Sequence, residues 1–477
     1  MNLINALQTK DTVTTNGMVT NSTSLSACVD MFFNIGALRG KDVNTIQNLF
    51  VKAYAEDKLI ATKLLFWSRD VRGGSGERQI FRDIIKYLAT SRNKNVVAEN
   101  IGLIPFFGRW DDLLVLIGTP LENDALSLIK EGLADSHTRP LVAKWMPRPN
   151  VKGGAKKVWA HTLRKFLGQT PKEYRKMLVE GSNTVEQAMC AKDWSRIEYS
   201  KIPSKAMSDY MKAFARNDKD RFTQYIESLE KGETKINAGA VYPYDIVKNM
   251  KNGNSRGADA QWNALPNYME GNTERVLPVV DVSGSMGSAA GGNPSLTCMD
   301  IAVSLGLYIS ERNVGPFKDA FVTFSESPKV QVLKGTLTER HNQLRRADWG
   351  YNTNLQKVFE VVLKKAVDNS VSQEDMPSMI IILSDMQFDQ GTGNSWNDTA
   401  QELIERKYSE AGYKIPKVVY WNLNSHGDSP VTFNKQGTAL VSGFSPSLLT
   451  SLLSGGTITP ETMMLKVVNS ERYSRIV

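Results

Sequence analysis

The chain has 477 residues, 41% hydrophobic and 23% charged, with 58 Lys+Arg against 50 Asp+Glu and a net charge of +8. That length points to two or more domains with an ordinary globular interior, and the apolar runs are too short to span a bilayer, which excludes a membrane-embedded class. Three scattered cysteines (Cys28, Cys190 and Cys298) and four histidines exclude a disulfide framework and a structural zinc site. Residues 1–30 lack the basic-then-apolar order of a secretory signal, so a cytoplasmic location is expected.

The charge is uneven along the chain. Residues 1–275 carry 40 Lys+Arg against 30 Asp+Glu, and residues 276–477 carry 18 against 20. A basic first half suits an acidic partner, nucleic acid above all, or else a solvated surface that happens to be basic.

Residues 1–27, rich in Asn, Thr and Ser, read as an extended arm. From Cys28 to Ala89 apolar residues recur at i, i+3 and i+4 (Val43, Ile46, Leu49, Phe50; Ala61, Leu64, Leu65), the spacing of amphipathic helices. Further helices are predicted at Val96–Ile104, Asp111–Ile117 with Asp111 or Asp112 as N-cap, Leu121–Leu133, Leu141–Met146, Ala206–Ala215 and Arg221–Leu229. Eight or more successive helices without a convincing strand suggest a helical-repeat module over residues 28–270, although no clean period is visible. A stretch rich in Asn, Gly and Pro, residues 249–274, reads as a linker.

Two stretches of the helical half carry candidate chemistry. In Trp67-Ser68-Arg69-Asp70-Val71-Arg72-Gly73-Gly74-Ser75-Gly76-Glu77-Arg78, no Lys-[Ser/Thr] follows the glycines, so it is not a Walker A loop. Either Arg69, Arg72 and Arg78 cradle a phosphate there, or the turn is a tight helix junction with Arg69 or Arg78 paired to Asp70 or Glu77. Between residues 152 and 176 lie Lys152, Lys156, Lys157, Arg164, Lys165, Lys172, Arg175 and Lys176 against one acid, Glu173, interleaved with Trp159, His161, Phe166 and Tyr174. Cations mixed with aromatics are what a single-stranded nucleic-acid surface uses; the alternative is a plain solvated face. Arg109, beside Phe106, Phe107 and Trp110, reads either as a base-stacking group or, the favoured reading, as part of a packed turn of core aromatics.

After residue 271 the pattern alternates: helices Cys298–Ser310, Asn354–Val367, Asp398–Ala411 and Ser447–Leu453, with strands Asp319–Phe324, Lys329–Leu333, Met379–Leu383, Lys417–Trp421 and Thr438–Val441, and a last helix after Pro460. That alternation predicts a doubly wound α/β sheet over residues 271–477. The apolar run Leu277–Val280 delivers Asp281, Ser283 and Ser285 at alternate positions of a glycine-containing loop. Gly350-Tyr351-Asn352-Thr353-Asn354 opens a helix, and Ile380-Ile381-Ile382-Leu383-Ser384-Asp385 is a second apolar strand ending in aspartate. Such oxygen donors at strand ends suit a hard cation, Mg²⁺ first, with Mn²⁺ or Ca²⁺ as alternatives.

This set, in this order, resembles the metal-ion-dependent adhesion site of von Willebrand factor A domains. The resemblance implies Asp281, Ser283 and Ser285 as first-loop ligands, Thr353 as the second-loop hydroxyl and Asp385 as the third-loop carboxylate. A long helical module followed by such a domain is the order found in Ro ribonucleoproteins, whose helical part is the TROVE domain. The Trp67–Arg78 segment, Gly108-Arg109-Trp110-Asp111-Asp112-Leu113 and Leu383-Ser384-Asp385-Met386 are similar to an uncharacterised family of phages, large DNA viruses, bacteria and plants that itself resembles Ro proteins. The resemblance implies, at the level of the domain, binding of small structured RNA or single-stranded ends. Two neutral hydroxyls and few carboxylates leave such a cation under-neutralised, so an Asp or Glu from a partner protein, or a phosphate, is expected to complete its shell, and the protein is expected to be a non-enzymatic scaffold. The alternative is a structural or assembly protein, such as a phage virion component, with the A domain as an adhesion module. An enzyme using metal-activated water lacks a general base, since His341 and His426 are not at predicted metal-strand ends.

Overall fold

The computed structural model describes residues 9–151, 153–231, 233–234, 241–251, 255–290, 295–323, 328–346, 354–390 and 398–477. Strands β1 (Thr12–Val13) and β2 (Val19–Thr20) form a small antiparallel hairpin. Six further strands make one sheet: β3 (Val276–Val280), β4 (Ala320–Thr323), β5 (Val330–Val332), β6 (Met379–Ser384), β7 (Lys417–Asn422) and β8 (Thr438–Ser442). Their order is β5-β4-β3-β6-β7-β8, parallel throughout except for the edge strand β5. Every residue of β3 and β6 is buried, as expected of central parallel strands covered on both faces. The helix Cys298–Arg312 lies on β3 close enough that a Cβ at Gly306 would meet Val280 Cγ2 at 2.5 Å. The chain is therefore a helical N-terminal region followed by a mostly parallel six-stranded sheet flanked by helices. Among the described residues no helix is long and apolar enough to cross a membrane.

Polar caps start the first helices. Ser26 accepts from the Val29 N–H ahead of Ala27–Ile35, Asp42 from Thr45 ahead of Val43–Glu56, and Asp57 from Ile60 ahead of Lys58–Arg69. Ala27–Ile35 is buried on nearly every side because it sits between its helical neighbours and strand β8. The Ser442 hydroxyl donates to the Phe32 carbonyl (2.8 Å) and accepts from the Gly36 N–H (3.1 Å), while the Asn422 amide donates to the Phe33 carbonyl (3.3 Å). At Gly36 a Cβ would stand 2.8 Å from Gly443 Cα, so two backbones touch there.

The boundary expected near residue 270 is therefore no gap in packing: one apolar cluster runs from Met18 through the helices and the sheet to Ile476. The expected arm, residues 1–27, departs from extension where it is described, because β1 and β2 dock on the sheet domain. Thr14 Oγ1 donates to the Phe388 carbonyl (2.6 Å), and the Asn16 amide to the Gln387 carbonyl (2.7 Å). Nor is the described part of residues 249–274 a linker. It includes the helix Ser255–Asn263, whose Trp262 is buried, donates from Nε1 to Glu311 at 2.5 Å and carries Arg312 against its ring. The widely spaced apolar residues Ala258, Trp262, Leu265 and Met269 were masked by the polar composition between them.

A second, smaller core holds residues 185–230 together: Tyr199 meets Phe214 and Phe222 edge to face and Tyr225 face to face, with Ile202 and Met211 in the same cluster. The helical region thus has two lobes, the first fused to the sheet.

Candidate functional site

The carboxyl ends of β3 and β6 lie side by side, in register from Val276↔Met379 to Val280↔Leu383, and the Asp281 N–H bonds the Leu383 carbonyl at 3.0 Å. After Asp281 the chain turns tightly through Gly284–Gly287, pinned by the buried Met286. Asp281 Oδ1 accepts the Ser283 N–H (2.9 Å), and its Oδ2 accepts the Ser384 hydroxyl (2.5 Å). The Ser283 and Ser285 hydroxyls are 3.1 Å apart. Asp385 Oδ1 accepts the Gln387 N–H at 3.3 Å, and Met386, between them, adopts φ +64°, a left-handed strain found at functional turns.

Four of the five expected ligands, Asp281, Ser283, Ser285 and Asp385, thus gather at one corner of the sheet; Thr353 lies outside the described residues. Asp281 is 0% exposed and Asp385 1%, and among the described residues neither forms an ion pair. Burial, reinforced by the Asp385 charge, pushes Asp281 up to about 6. Two buried like charges without a counter-charge, beside two hydroxyls, are a donor set that a hard divalent cation fits. Among the described residues no group of three or more His, Cys, Asp or Glu gathers to hold a metal.

Sequence reasoning gave Ser384 no role, yet its hydroxyl ties the two strand ends together, and it also accepts the Met386 N–H at 3.0 Å. It also set His426 apart from the strand ends. His426 follows β7, the neighbour of β6 in the sheet, and Asp385 acts on it electrostatically, against the burial that holds the imidazole below its usual range. Asp428, two residues on, is pushed up to about 6, chiefly by burial and further by Asp385. Strand order, which no local pattern reveals, is the signal that would have placed them. The N-terminal hairpin braces the same loop, with the Thr15 N–H on Gln387 Oε1 at 2.6 Å.

The basic stretch forms two helices, Gly154–Phe166 and Pro171–Gly181, the second opened by a Thr170–Glu173 capping box. Lys156, Lys157, Lys165, Lys172, Arg175 and Lys176 are exposed, and Lys152 lies outside the described residues. Arg164 is half-buried and bonds the Gln169 carbonyl at 2.6 Å. Of the interleaved aromatics Tyr174 is core, donating to the Pro147 carbonyl at 3.2 Å, Trp159 packs partly against the core, and Phe166 and His161 remain open.

The glycine turn is a packed junction. A Cβ at Gly74 would fall 1.8 Å from the Trp67 carbonyl oxygen. Arg69, 2% exposed, is spent on Asp112 (2.8 Å) and is no phosphate ligand. The partners differ from both expected pairings: Glu77 holds Arg39 (2.7 Å), and Asp70 holds Arg472 and Tyr473. Arg72 and Arg78 stay exposed. Nor is Asp111 or Asp112 the N-cap, a position that Arg109 takes. Asp112 sits at the third position of the turn Trp110–Leu116, where it accepts the Arg109 N–H (2.8 Å), Arg69 Nε (2.8 Å) and Arg82 Nε (2.6 Å), a carboxylate buried among guanidiniums.

Two family models match the chain. One, a domain of unknown function (DUF2828), covers residues 14–128 and 133–274; the other, also a domain of unknown function (DUF7788), covers residues 275–475. An uncharacterized protein of Acanthamoeba polyphaga mimivirus is 31% identical over 506 residues, an alignment spanning 95% of this chain and 86% of the relative.

Proposed function

We propose, for a chain that belongs to the family described as a domain of unknown function (DUF2828), a non-enzymatic, Ro-like RNA-binding scaffold whose sheet domain is a von Willebrand factor A domain capturing a protein partner through a metal ion. The observation that carries the reading is excess charge of opposite sign in two places, even though Lys176 meets Glu180 at 3.6 Å. Six exposed cations stud the Gly154–Gly181 helix pair, and two carboxylates lie buried at the sheet corner without a cation beside them.

On the helix pair, ammonium and guanidinium groups that meet few acids release counter-ions when phosphates replace them, a gain that needs no base recognition. At the corner, Asp281, Ser283, Ser285 and Asp385, with Thr353, would hold a divalent cation such as Mg²⁺. Once bound, that cation offers open coordination positions to an Asp or Glu from a partner. This chain's own part is to keep those donors converged. Ser384 fixes Asp281 from the neighbouring strand, and the N-terminal hairpin steadies the loop of Asp385 through Gln387.

The protein is purified natively, its 260/280 nm absorbance ratio recorded, and any nucleic acid surviving a moderate-salt wash sequenced. A defined, intact RNA is expected. A preparation free of nucleic acid that also ignores structured RNA at low salt would overturn the RNA half and favour an assembly protein, while cleavage of the RNA would overturn the non-enzymatic reading.

A further inference from the structure

The fold brings together a surface that no single stretch of sequence contains. Phe106 is 45% exposed, although it belongs to a helix turn whose neighbour Phe107 is buried. The Arg475 guanidinium, arriving from the far end of the chain, lies 5.7 Å from the Phe106 ring centroid. Three residues further on, Arg109 lies flat over Trp145 at 3.7 Å while its fork grips Asp111 (2.7 and 2.9 Å). The ammonium of Lys144 approaches the same indole at 5.4 Å. A run of contacts links the two ends: Arg472 also lies 5.6 Å from the Phe106 ring and holds Asp70, while Arg69, the sequence neighbour of Asp70, holds Asp112, which accepts the Arg109 N–H.

Charge on the patch is in excess. Arg69, Arg82 and Arg109 already share Asp111 and Asp112, and Arg78, exposed beside them, is held below its usual range by partial burial and by the guanidiniums of Arg109 and Arg82. A fourth guanidinium beside three that already share two carboxylates leaves this surface positive and attractive to an anion. Lys144 leads on into a cleft between the two helical lobes, lined also by Leu141, Arg196 and Pro203. An exposed ring, Phe106, flanked by Arg472 and Arg475, and a half-buried indole already stacked with Arg109 match a chain of alternating bases and phosphates; an acidic peptide would match the cations but leave the Phe106 ring unused.

We infer that Phe106, Arg475, Arg78, Arg109, Trp145 and Lys144 form a track for a single-stranded segment of nucleic acid, separate from the Gly154–Gly181 helix pair. This rests on the RNA-binding reading. Bases stack on Phe106 and at the edge of the Arg109–Trp145 stack, and Arg78 and Lys144 meet the phosphates between them.

The test uses the full-length protein, a fluorescein-labelled twelve-nucleotide oligouridine and a twelve-base-pair RNA duplex, followed by anisotropy at fixed salt. Phe106→Ala with Arg78→Glu, both at exposed positions, should weaken oligouridine at least tenfold and the duplex less than threefold; thermal melting checks that the variant is folded. Lys156→Glu with Lys157→Glu should weaken both probes. With 4-thiouridine in the oligomer, light-induced cross-links should map to Phe106 or Trp145. Cross-links confined to residues 154–181, with wild-type oligouridine affinity in the Phe106/Arg78 variant, would overturn the track and leave the RNA reading standing. Failure of the wild-type protein to bind either probe would overturn both.

Discussion

Asp70 and Arg472 stand 402 positions apart and face each other as a forked ion pair, with Arg472 Nη2 at 2.7 Å from Asp70 Oδ1 and Nε on Oδ2. The Tyr473 hydroxyl adds a third bond to the same carboxylate at 3.0 Å, and the Asn100 side chain holds the Val477 backbone N–H (3.1 Å) and carbonyl (2.6 Å). The end of the chain is thus clasped by the helical region, as the N-terminal hairpin is clasped by the sheet domain.

That clasp predicts a cooperative molecule. Arg472→Ala leaves a carboxylate with 1% side-chain exposure facing only a hydroxyl and a backbone N–H. A loss of about 3 kcal/mol is expected, the range for breaking one side of a buried pair. Urea unfolding followed by fluorescence and by circular dichroism should give one shared transition at a lower midpoint; an unshifted midpoint would contradict the clasp.

Gly36 meets the backbone of Gly443, whereas a Cβ at Gly102 would meet nothing within 4 Å. Gly36→Ala should therefore cost about 1–3 kcal/mol through forced backbone displacement. Gly102→Ala should leave thermal stability unchanged or slightly higher, because the unfolded chain loses freedom. Equal melting temperatures for the two variants would mean that the sheet and the helix Ala27–Ile35 are not in such contact.

The raised Asp281 gives a pH dependence of definite sign. Its carboxyl goes from 3.8 unfolded to about 6 folded, so the folded state holds a proton that the unfolded state has released between those values. The corner's contribution to stability is full below about pH 4 and is lost as pH rises through about 6, on the order of 3 kcal/mol. Unfolding in chelator across this window should show the decline in the wild type and a reduced one in Asp281→Asn. Added Mg²⁺ should raise the melting temperature above pH 6 in the wild type and not in Asp281→Asn or Ser283→Ala. Equal response of all three proteins would remove the metal site.

Strands were legible because buried parallel strands are uninterrupted apolar runs. Met379–Leu383, Lys417–Trp421 and Thr438–Val441 were each expected within one residue of the observed ends. The corner followed, because Asp281 and Asp385 close two such runs. The destiny of single charges was hidden. Arg69 looked as available as Arg78, and only its packing against Asp112 separates a buried structural cation from an exposed one. The docked N-terminal hairpin was equally hidden, since Thr14, Thr15 and Asn16 bond backbone and side chain some 370 residues away, which no local periodicity encodes.

The basic helix pair bears most directly on the central claim, and salt is the lever. Affinity of the full-length protein for a structured RNA should be measured by anisotropy from low to moderate monovalent salt, with Lys156→Glu/Lys157→Glu beside it. Several phosphate contacts predict a steep linear fall of log affinity with log salt, near −0.7 to −0.9 for each contact, and a shallower slope in the variant. A flat salt response, the same in both proteins, would contradict the scaffold reading.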